Sequence, residues 1–217
     1  MTKIKICGIK TIPDALAAVN AGADLIGFNF YPKSPRYVDV GMCRNIMSVM
    51  RQIGKVKCVG VFVNASLAEI LATMDTLGLN LAQLHGDETP EMLKALDGKA
   101  FKAIRLSTDS ETDSRTITDF AELRRGDAPM LLVDAAVKGV YGGSGVTADW
   151  HGAAELAKKY PLLLAGGLTP ENVAEAVSRV QPWGVDVASG VESAPGKKDP
   201  GKMKAFVQAV REESKVS

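Results

Sequence analysis

The sequence predicts an α/β protein, a single-domain (β/α)8 barrel, and three observations support this prediction. Eight short runs rich in apolar and β-branched residues recur along the 217 residues, and their first residues lie 21 to 31 positions apart. This period accommodates one strand, a helix of about three turns and two short loops. The segments between the runs carry helix start signals and amphipathic patterns. The chain is 46% hydrophobic, and at 217 residues it is long enough to bury a sizeable core.

The predicted strands are apolar on both faces, which is typical of parallel strands that are covered by helices. Parallel neighbours need a crossover of about a dozen or more residues, usually a helix, and the spacing of the runs allows one each time. The eight runs are KIKIC from Lys3, DLIGFNF from Asp24, KVKCVGVFV from Lys55, LNLAQL from Leu79, AFKAIRL from Ala100, MLLVDA from Met130, PLLLAGG from Pro161 and WGVDVASG from Trp183.

Capping residues predict where the intervening helices begin. Thr11 is followed three positions later by an aspartate, and Ser66 is followed three positions later by a glutamate, which makes a capping box. Three further sites place a capping side chain before a first-turn proline: Thr89-Pro90, Thr169-Pro170 and Asp199-Pro200.

An open doubly wound sheet is the competing architecture. That fold commonly carries a GxGxxG turn after its first strand, whereas the turn here reads CGIKTI from Cys7. At 217 residues the chain is near the lower size limit of (β/α)8 barrels, so its loops must be short. We therefore expect one domain over residues 1–217.

Charge and cysteine content narrow the class of protein. Lys and Arg total 26 against 25 Asp and Glu, which leaves no basic surplus for binding nucleic acid. The three cysteines have no disulfide-framework or zinc-type spacing, and no His/Asp/Glu cluster has metal-ligand spacing. No secretory signal and no apolar run near ~18 residues is present. We expect a cytoplasmic protein with no metal and no nucleic-acid or membrane partner.

Glycines follow the seventh and eighth predicted strands, at Gly166-Gly167 and at Ser189-Gly190. The active site of a (β/α)8 barrel lies at the C-terminal ends of its strands. Bare backbone N–H groups and the positive end of a following helix bind phosphate there without Lys or Arg. For either pair alone, a tight strand-to-helix turn explains the glycines as well as a phosphate site does. Two pairs in neighbouring loops favour a phosphate site.

Two residues at predicted strand ends are candidates for proton transfer. Asp134 ends the most apolar strand, where a carboxyl group is costly to bury unless it is paired or in use, and burial favours its protonated form. Cys7 ends the first strand, where nearby lysines or a helix N-terminus would favour a thiolate. The alternatives are a structural aspartate and an inert packed thiol, and we expect the latter for Cys43 and Cys58.

Two further side chains are candidates for substrate binding. Arg36 lies in a loop stiffened by Pro32 and Pro35, which suits a guanidinium held for a planar carboxylate, the alternative being a solvated loop arginine. His85 follows the fourth predicted strand and either lines the site or hydrogen-bonds a neighbouring loop.

A glycine-rich loop with Gly142, Gly143 and Gly145 follows the sixth predicted strand. It is either a mobile lid or a flexible surface loop, because no GK[ST] follows that would make it a P-loop. The candidate base, acid, carboxylate clamp and phosphate site together indicate proton-transfer chemistry on a phosphorylated metabolite, without a cofactor.

Eight segments along residues 3–199 are KICGIK, GFNFYPKSPRYV, VGVFVN, LAQLHGDE, LLVDA, GGSGVTADW, LAGGLTPENV and GVDVASGVESAPGKKD. In this order they resemble the phosphoribosylanthranilate isomerase family of tryptophan biosynthesis. One departure is in the glycine-rich loop, where Val146 and Ala148 replace the Lys and Phe of the family pattern GGTGKTFDW.

The resemblance implies an enzyme without a cofactor that converts N-(5-phosphoribosyl)anthranilate into 1-(2-carboxyphenylamino)-1-deoxyribulose 5-phosphate by an Amadori rearrangement. It implies that Cys7 is the general base and Asp134 the general acid. Arg36 would bind the anthranilate carboxylate and Asp186 the sugar hydroxyls. The phosphate would be bound by Gly166, Gly167, Ser189 and Gly190. The expected partner is this small phosphorylated substrate, and the expected assembly is a monomer or a weak homodimer.

Two rival functions are weighed against this one. The sister isomerase of histidine biosynthesis runs the same rearrangement on a larger substrate with two phosphates. In that isomerase the first strand ends in an aspartate, whereas here it ends in Cys7. It also repeats its phosphate loop in both halves, whereas the third and fourth predicted strands here end in VFVN and QLHG without a glycine pair. The second rival is a catalytically silent barrel that only binds a phosphorylated ligand, which would predict loss of Cys7 or Asp134.

Overall fold

Eight parallel strands close into a barrel in which each strand pairs with the next and β8 pairs with β1. The structure is a computed structural model that describes residues 1–105, 117, 120, 129–134 and 150–215. The predicted (β/α)8 class is therefore confirmed. The strands are β1 Lys3–Cys7, β2 Leu25–Asn29, β3 Lys57–Phe62, β4 Leu81–Leu84, β5 Ala100–Arg105, β6 Leu131–Asp134, β7 Leu162–Ala165 and β8 Gly184–Val187.

Helices cover the outside of the barrel. Four of the predicted capping residues, Thr11, Ser66, Thr89 and Asp199, accept a hydrogen bond from a backbone N–H three residues later. Among the described helices, none is both long and apolar enough to cross a lipid bilayer. The helices whose bounds the structure describes are α1 Ile12–Ala21, α2 Val40–Ile53, α3 Leu67–Leu77, α4 Pro90–Ala95, α5 Trp150–Ala157, α6 Val173–Val180 and α7 Pro200–Glu213.

The helix after β7 begins later than the sequence predicts. Thr169-Pro170 opens a turn instead, and α6 starts at Val173. Within this turn the Thr169 hydroxyl accepts from the backbone N–H of Glu171, and the Thr169 N–H donates to the side chain of Asn172. Such local side-chain bonds compete with helix formation. The amide of Asn172 also donates to the Gly167 carbonyl at 3.0 Å, so the turn is fastened to the glycine pair.

Side chains alternate along each strand between two apolar clusters. Outward-facing residues such as Ile26, Cys58 and Val133 pack against the helices, which confirms Cys58 as a core residue; Cys43 on α2 is buried in the same cluster. Inward-facing residues fill the floor of the barrel: Leu25, Val59, Leu81, Phe101, Leu132 and Leu163. Inward residues two positions further along each strand therefore lie above this floor, towards the C-terminal mouth.

A small antiparallel hairpin, not predicted from the sequence, follows β8. A 3-10 turn at Ser189–Val191 leads into β9, Glu192–Ala194, which pairs with β10, Lys197–Lys198. The 3-10 turn leads the chain into a hairpin that lies beside the loop carrying Arg36.

Candidate active site

A cavity of about 520 Å³ opens at the C-terminal ends of the strands, and every strand of the barrel contributes to its lining. This volume suits a small metabolite. Eight of the nine residues expected at the site line the cavity: Cys7, Arg36, His85, Asp134, Gly166, Gly167, Asp186 and Ser189. Gly190 is not part of the lining.

Cys7 ends β1 with its side chain directed at the cavity and only 8% of the residue exposed. It lies opposite Gly27 of β2 in register. A Cβ placed on Gly27 would lie 2.8 Å from the Cys7 Sγ and 3.2 Å from the Nζ of Lys5. The missing side chain at Gly27 therefore provides the space in which the thiol and an ammonium group come together.

Lys5 is fully buried in the barrel, and its Nζ lies 2.8 Å from Oδ1 of Asp186, its register partner on β8. Burial disfavours the ammonium form of Lys5, but the charge of Asp186 and the neighbouring Cys7 outweigh it, so the pKa of Lys5 is raised. Asp186 thus lines the cavity while its carboxylate is paired with the buried ammonium group of Lys5. Lys5 was not predicted from the sequence as a site residue, although its place two residues before Cys7 puts both side chains on one face of β1.

Asp134 ends β6, which is separated from β1 by β7 and β8, and it is partly exposed in the cavity. Its register neighbour on β5 is Arg105, which also lines the cavity. The thiol of Cys7 and the carboxyl group of Asp134 therefore face one cavity from two sides of the same barrel mouth.

His85 lines the cavity, with 2.8 Å between its Nδ1 and the Nε2 of Gln83. When the amide donates, Nδ1 accepts, so the ring proton lies on Nε2. Burial, followed by the positive charge of Lys5, lowers the pKa of His85. The imidazole is therefore neutral at pH 7. Gln83 is buried, and its Oε1 has no hydrogen-bond partner among the residues that the structure describes.

Arg36 forms a two-bond ion pair with Glu192, in which Nε donates to Oε1 and Nη2 donates to Oε2, each at 2.8 Å. The same carboxylate accepts from the buried Nζ of Lys198 at 2.9 Å. Burial opposes ionisation of Glu192, but the bonds from Arg36 and Lys198 lower its pKa. Arg36 is therefore not the solvated loop arginine that was the alternative. Neither Glu192 nor Lys198 was predicted from the sequence as part of the site.

The loops after β7 and β8 lie against each other. Gly166 and Gly167 have φ of 97° and 64°, which glycine adopts without strain. A Cβ on Gly190 would overlap the carbonyl oxygen of Leu168. Gly190 therefore permits the close approach of the two loops, while Ser189 and the glycine pair face the cavity.

The glycine-rich loop lies outside the described residues, including Gly142, Gly143, Gly145, Val146 and Ala148. Neither the lid nor the surface-loop interpretation is tested. Within the described part of the chain, no group of three or more His, Cys, Asp or Glu side chains could hold a metal ion.

Comparison with known proteins relates the whole chain to one family. The family model described as N-(5'phosphoribosyl)anthranilate (PRA) isomerase matches residues 4–209. The N-(5'-phosphoribosyl)anthranilate isomerase of Magnetococcus marinus is 48% identical over 96% of this chain and 95% of its own. That of Geotalea uraniireducens is 43% identical over 97% and 99%.

Solved structures agree. The phosphoribosyl anthranilate isomerase of Thermotoga maritima superposes with a TM-score of 0.86 at 39% identity, covering 98% of this chain and 100% of that one. A phosphoribosyl anthranilate isomerase in complex with reduced 1-(o-carboxyphenylamino)-1-deoxyribulose 5-phosphate matches with a TM-score of 0.83 at 36% identity, covering 98% and 100%.

Proposed function

This chain belongs to the phosphoribosylanthranilate isomerase family of tryptophan biosynthesis, and we propose that it carries out the family's rearrangement with Cys7 as general base and Asp134 as general acid. The substrate is N-(5-phosphoribosyl)anthranilate and the product 1-(2-carboxyphenylamino)-1-deoxyribulose 5-phosphate. The observation that carries the assignment is that these two side chains, 127 positions apart in the sequence, line one cavity from β1 and β6.

The reaction proceeds through several proton transfers, two of which we assign to Asp134 and Cys7. Asp134 in its acid form protonates the ring oxygen of the furanose, the C1–O bond breaks, and the anthranilate nitrogen supplies the electron pair that forms a Schiff base. Cys7 as thiolate then removes the proton from C2, and the electrons of that C–H bond move to give an enolamine. A proton added at C1 and a proton lost from the 2-hydroxyl group then turn the enolamine into the ketone. Because acid and base approach one sugar ring from different sides, a cavity shared by both suits this sequence.

The remaining cavity residues bind the substrate. Arg36 accommodates the anthranilate carboxylate, since a guanidinium matches a planar carboxylate in shape and charge. Asp186 accepts hydrogen bonds from the sugar hydroxyls. Backbone N–H groups around Gly166, Gly167, Ser189 and Gly190 bind the phosphate, which is supported by the contact of these two loops at the cavity.

Turnover of freshly prepared phosphoribosylanthranilate by the wild type, Cys7→Ser and Asp134→Asn tests the proposal. We expect each substitution to reduce kcat by more than about 10²-fold, as removal of a positioned acid or base commonly does. Cys58→Ser is the matched control, because Cys58 is buried in the helix-facing core away from the cavity. Turnover by both site variants within a factor of a few of the wild type would refute the assigned roles.

We also propose that the chain is one domain that acts in the cytoplasm on this free small molecule, as a monomer or weak homodimer. The single-domain assignment is supported by Arg211 near the C-terminus, whose Nη1 donates to the Thr2 carbonyl at 2.7 Å. Unreacted thiols at Cys7, Cys43 and Cys58 suit a reducing compartment. Light scattering across a range of protein concentrations measures the assembly.

A further inference from the structure

We propose that Glu192 is a positioning residue that holds the guanidinium of Arg36 ready for the substrate's carboxylate and thereby makes the cavity selective for a carboxylated ligand. This inference rests on the proposed function, in which Arg36 binds the anthranilate carboxylate. Glu192 lies on β9, outside the barrel strands, and its side chain is not part of the cavity lining.

The ion pair leaves one edge of Arg36 available. A guanidinium carries five N–H donors, and Glu192 accepts two of them through Nε and Nη2. Nη1 has no hydrogen-bond partner among the residues that the structure describes, and Arg36 borders the cavity. A ligand carboxylate can therefore be bound end-on by Nη1 and the second N–H of Nη2 without displacing Glu192.

Burial distinguishes the two partners. The side chain of Glu192 is 4% exposed and that of Arg36 is 24% exposed. The carboxylate is thus enclosed by protein, while the guanidinium reaches the cavity. Because a buried carboxylate that accepts two parallel bonds fixes both the plane and the rotamer of its partner, Arg36 is already ordered before the ligand binds.

Two lysines hold Glu192 in addition to Arg36. Its Oε1 accepts from Lys198, whose Nζ also donates to the Ala188 carbonyl at 2.9 Å. Its backbone carbonyl accepts from the Nζ of Lys202 at 2.9 Å. Within this cluster two cations, Arg36 and Lys198, face one carboxylate, and the remaining positive charge favours an anionic ligand at the free edge of Arg36.

The loop that carries Arg36 is fixed by the same hairpin. The Arg36 backbone N–H donates to the Ser34 hydroxyl at 3.1 Å. At the hairpin tip, a Cβ on Gly196 would overlap the Pro35 carbonyl oxygen. The Arg36 backbone is therefore held within its own loop by Ser34, and the hairpin that fixes its side chain lies directly against this loop.

The test compares two stable product analogues: reduced 1-(o-carboxyphenylamino)-1-deoxyribulose 5-phosphate and its counterpart with a phenyl ring that lacks the carboxyl group. Their Kd values are measured by calorimetric titration for the wild type, Glu192→Gln, Glu192→Asp and Arg36→Met. We expect Glu192→Gln to raise the Kd of the carboxylated analogue about tenfold or more, consistent with loss of a charge-assisted contact, and that of the other analogue less than about threefold.

Two variants control for a general structural effect. Lys202→Met removes a contact to the backbone of Glu192 but leaves its carboxylate in place, and it should retain the wild-type preference for the carboxylated analogue. Glu192→Asp keeps the charge but withdraws it by about one C–C bond, roughly 1.5 Å, so it should lose part of the preference even where Glu192→Gln folds poorly. In steady state, Glu192→Gln should raise KM while kcat changes less than about threefold.

Several results would overturn the proposal. If Glu192→Gln raised the Kd of both analogues equally, the role of Glu192 would be structural alone. The same conclusion would follow if Lys202→Met lost the preference for the carboxylated analogue to the same extent as Glu192→Gln. An unchanged preference in Glu192→Gln and Glu192→Asp, together with its loss in Arg36→Met, would refute the role of Glu192 while leaving the proposed function intact. An unchanged preference in Arg36→Met would instead refute the carboxylate site itself.

Discussion

Lys5 and Asp186 are register partners on β1 and β8, and the strands bring their charged atoms to 2.8 Å inside the barrel. This pair closes the floor of the cavity beside Cys7. A buried ion pair of this kind is costly to break, because removal of one partner leaves an uncompensated charge.

Lys5→Met should lower the free energy of unfolding by about 3–5 kcal/mol, the range expected when one partner of a buried pair is removed. Lys5→Met/Asp186→Leu should be less destabilised than the single variant, because no unpaired charge remains. Urea unfolding followed by circular dichroism measures both. A single variant within about 1 kcal/mol of the wild type would contradict a buried charge pair at this position.

Gly27→Ala should reduce activity by about tenfold or more, because the new methyl group would lie 2.8 Å from the Cys7 Sγ and force the thiol out of position. Gly60→Ala is the matched control in the neighbouring strand. Its Cβ would meet Phe62 and Leu79 instead, so it should cost stability and leave kcat nearly unchanged. The two variants are compared by steady-state kinetics and thermal unfolding, and equal kinetic effects would argue against a specific role of the space at Gly27.

His85 should titrate below its ordinary value of 6.5, since burial and the charge of Lys5 disfavour imidazolium. Because the folded protein resists a proton that the unfolded chain accepts, the stability contributed by His85 decreases as the pH falls from about 6.5 towards the lower native pKa. NMR titration of the imidazole Cε1–H gives the midpoint, with the signal assigned from a His85→Asn variant. A midpoint at or above 6.5 would be inconsistent with the neutral ring described here.

Asp24→Asn should lower the free energy of unfolding by about 1–2 kcal/mol at pH 7, since Asp24 accepts a 2.7 Å bond from Arg211 and a 2.9 Å bond from the Ile4 N–H. Burial opposes ionisation of Asp24, but these bonds outweigh it and lower its pKa. The contribution is therefore complete above the unfolded value of about 4 and is lost as the pH falls through the lower native pKa.

Urea unfolding at pH 7 and at pH 3 separates this electrostatic contribution from a packing effect. The difference between Asp24→Asn and the wild type should shrink at the lower pH. Asp75→Asn on the exposed face of α3 is the control, and it should leave the free energy of unfolding unchanged at both pH values. A penalty for Asp24→Asn that does not change with pH would indicate that charge is not its origin.

Some site residues were predictable from the sequence because strand ends define the barrel mouth. Cys7 and Asp134 end apolar runs whose direction and boundaries are visible in the pattern, whereas Asp186 was expected only from the family resemblance. The site residues that were not predicted include Lys5, Gln83 and Glu192. Their charged or amide side chains cannot be told from ordinary surface polar residues by the local sequence pattern. The late start of α6 was missed for a related reason, since the side-chain bonds of Asn172 form only once the turn at Thr169 exists.

The sequence by itself determined the order of strands and helices, most helix starts and the set of residues at the strand ends, because hydrophobic period and capping are local properties of the chain. Only the tertiary structure decided which charges meet. Lys5 and Asp186 are 181 residues apart, and Arg36 and Glu192 are 156 apart. Their pairing depends on barrel closure and on the register between β1 and β8, and no local preference of either residue specifies these long-range contacts.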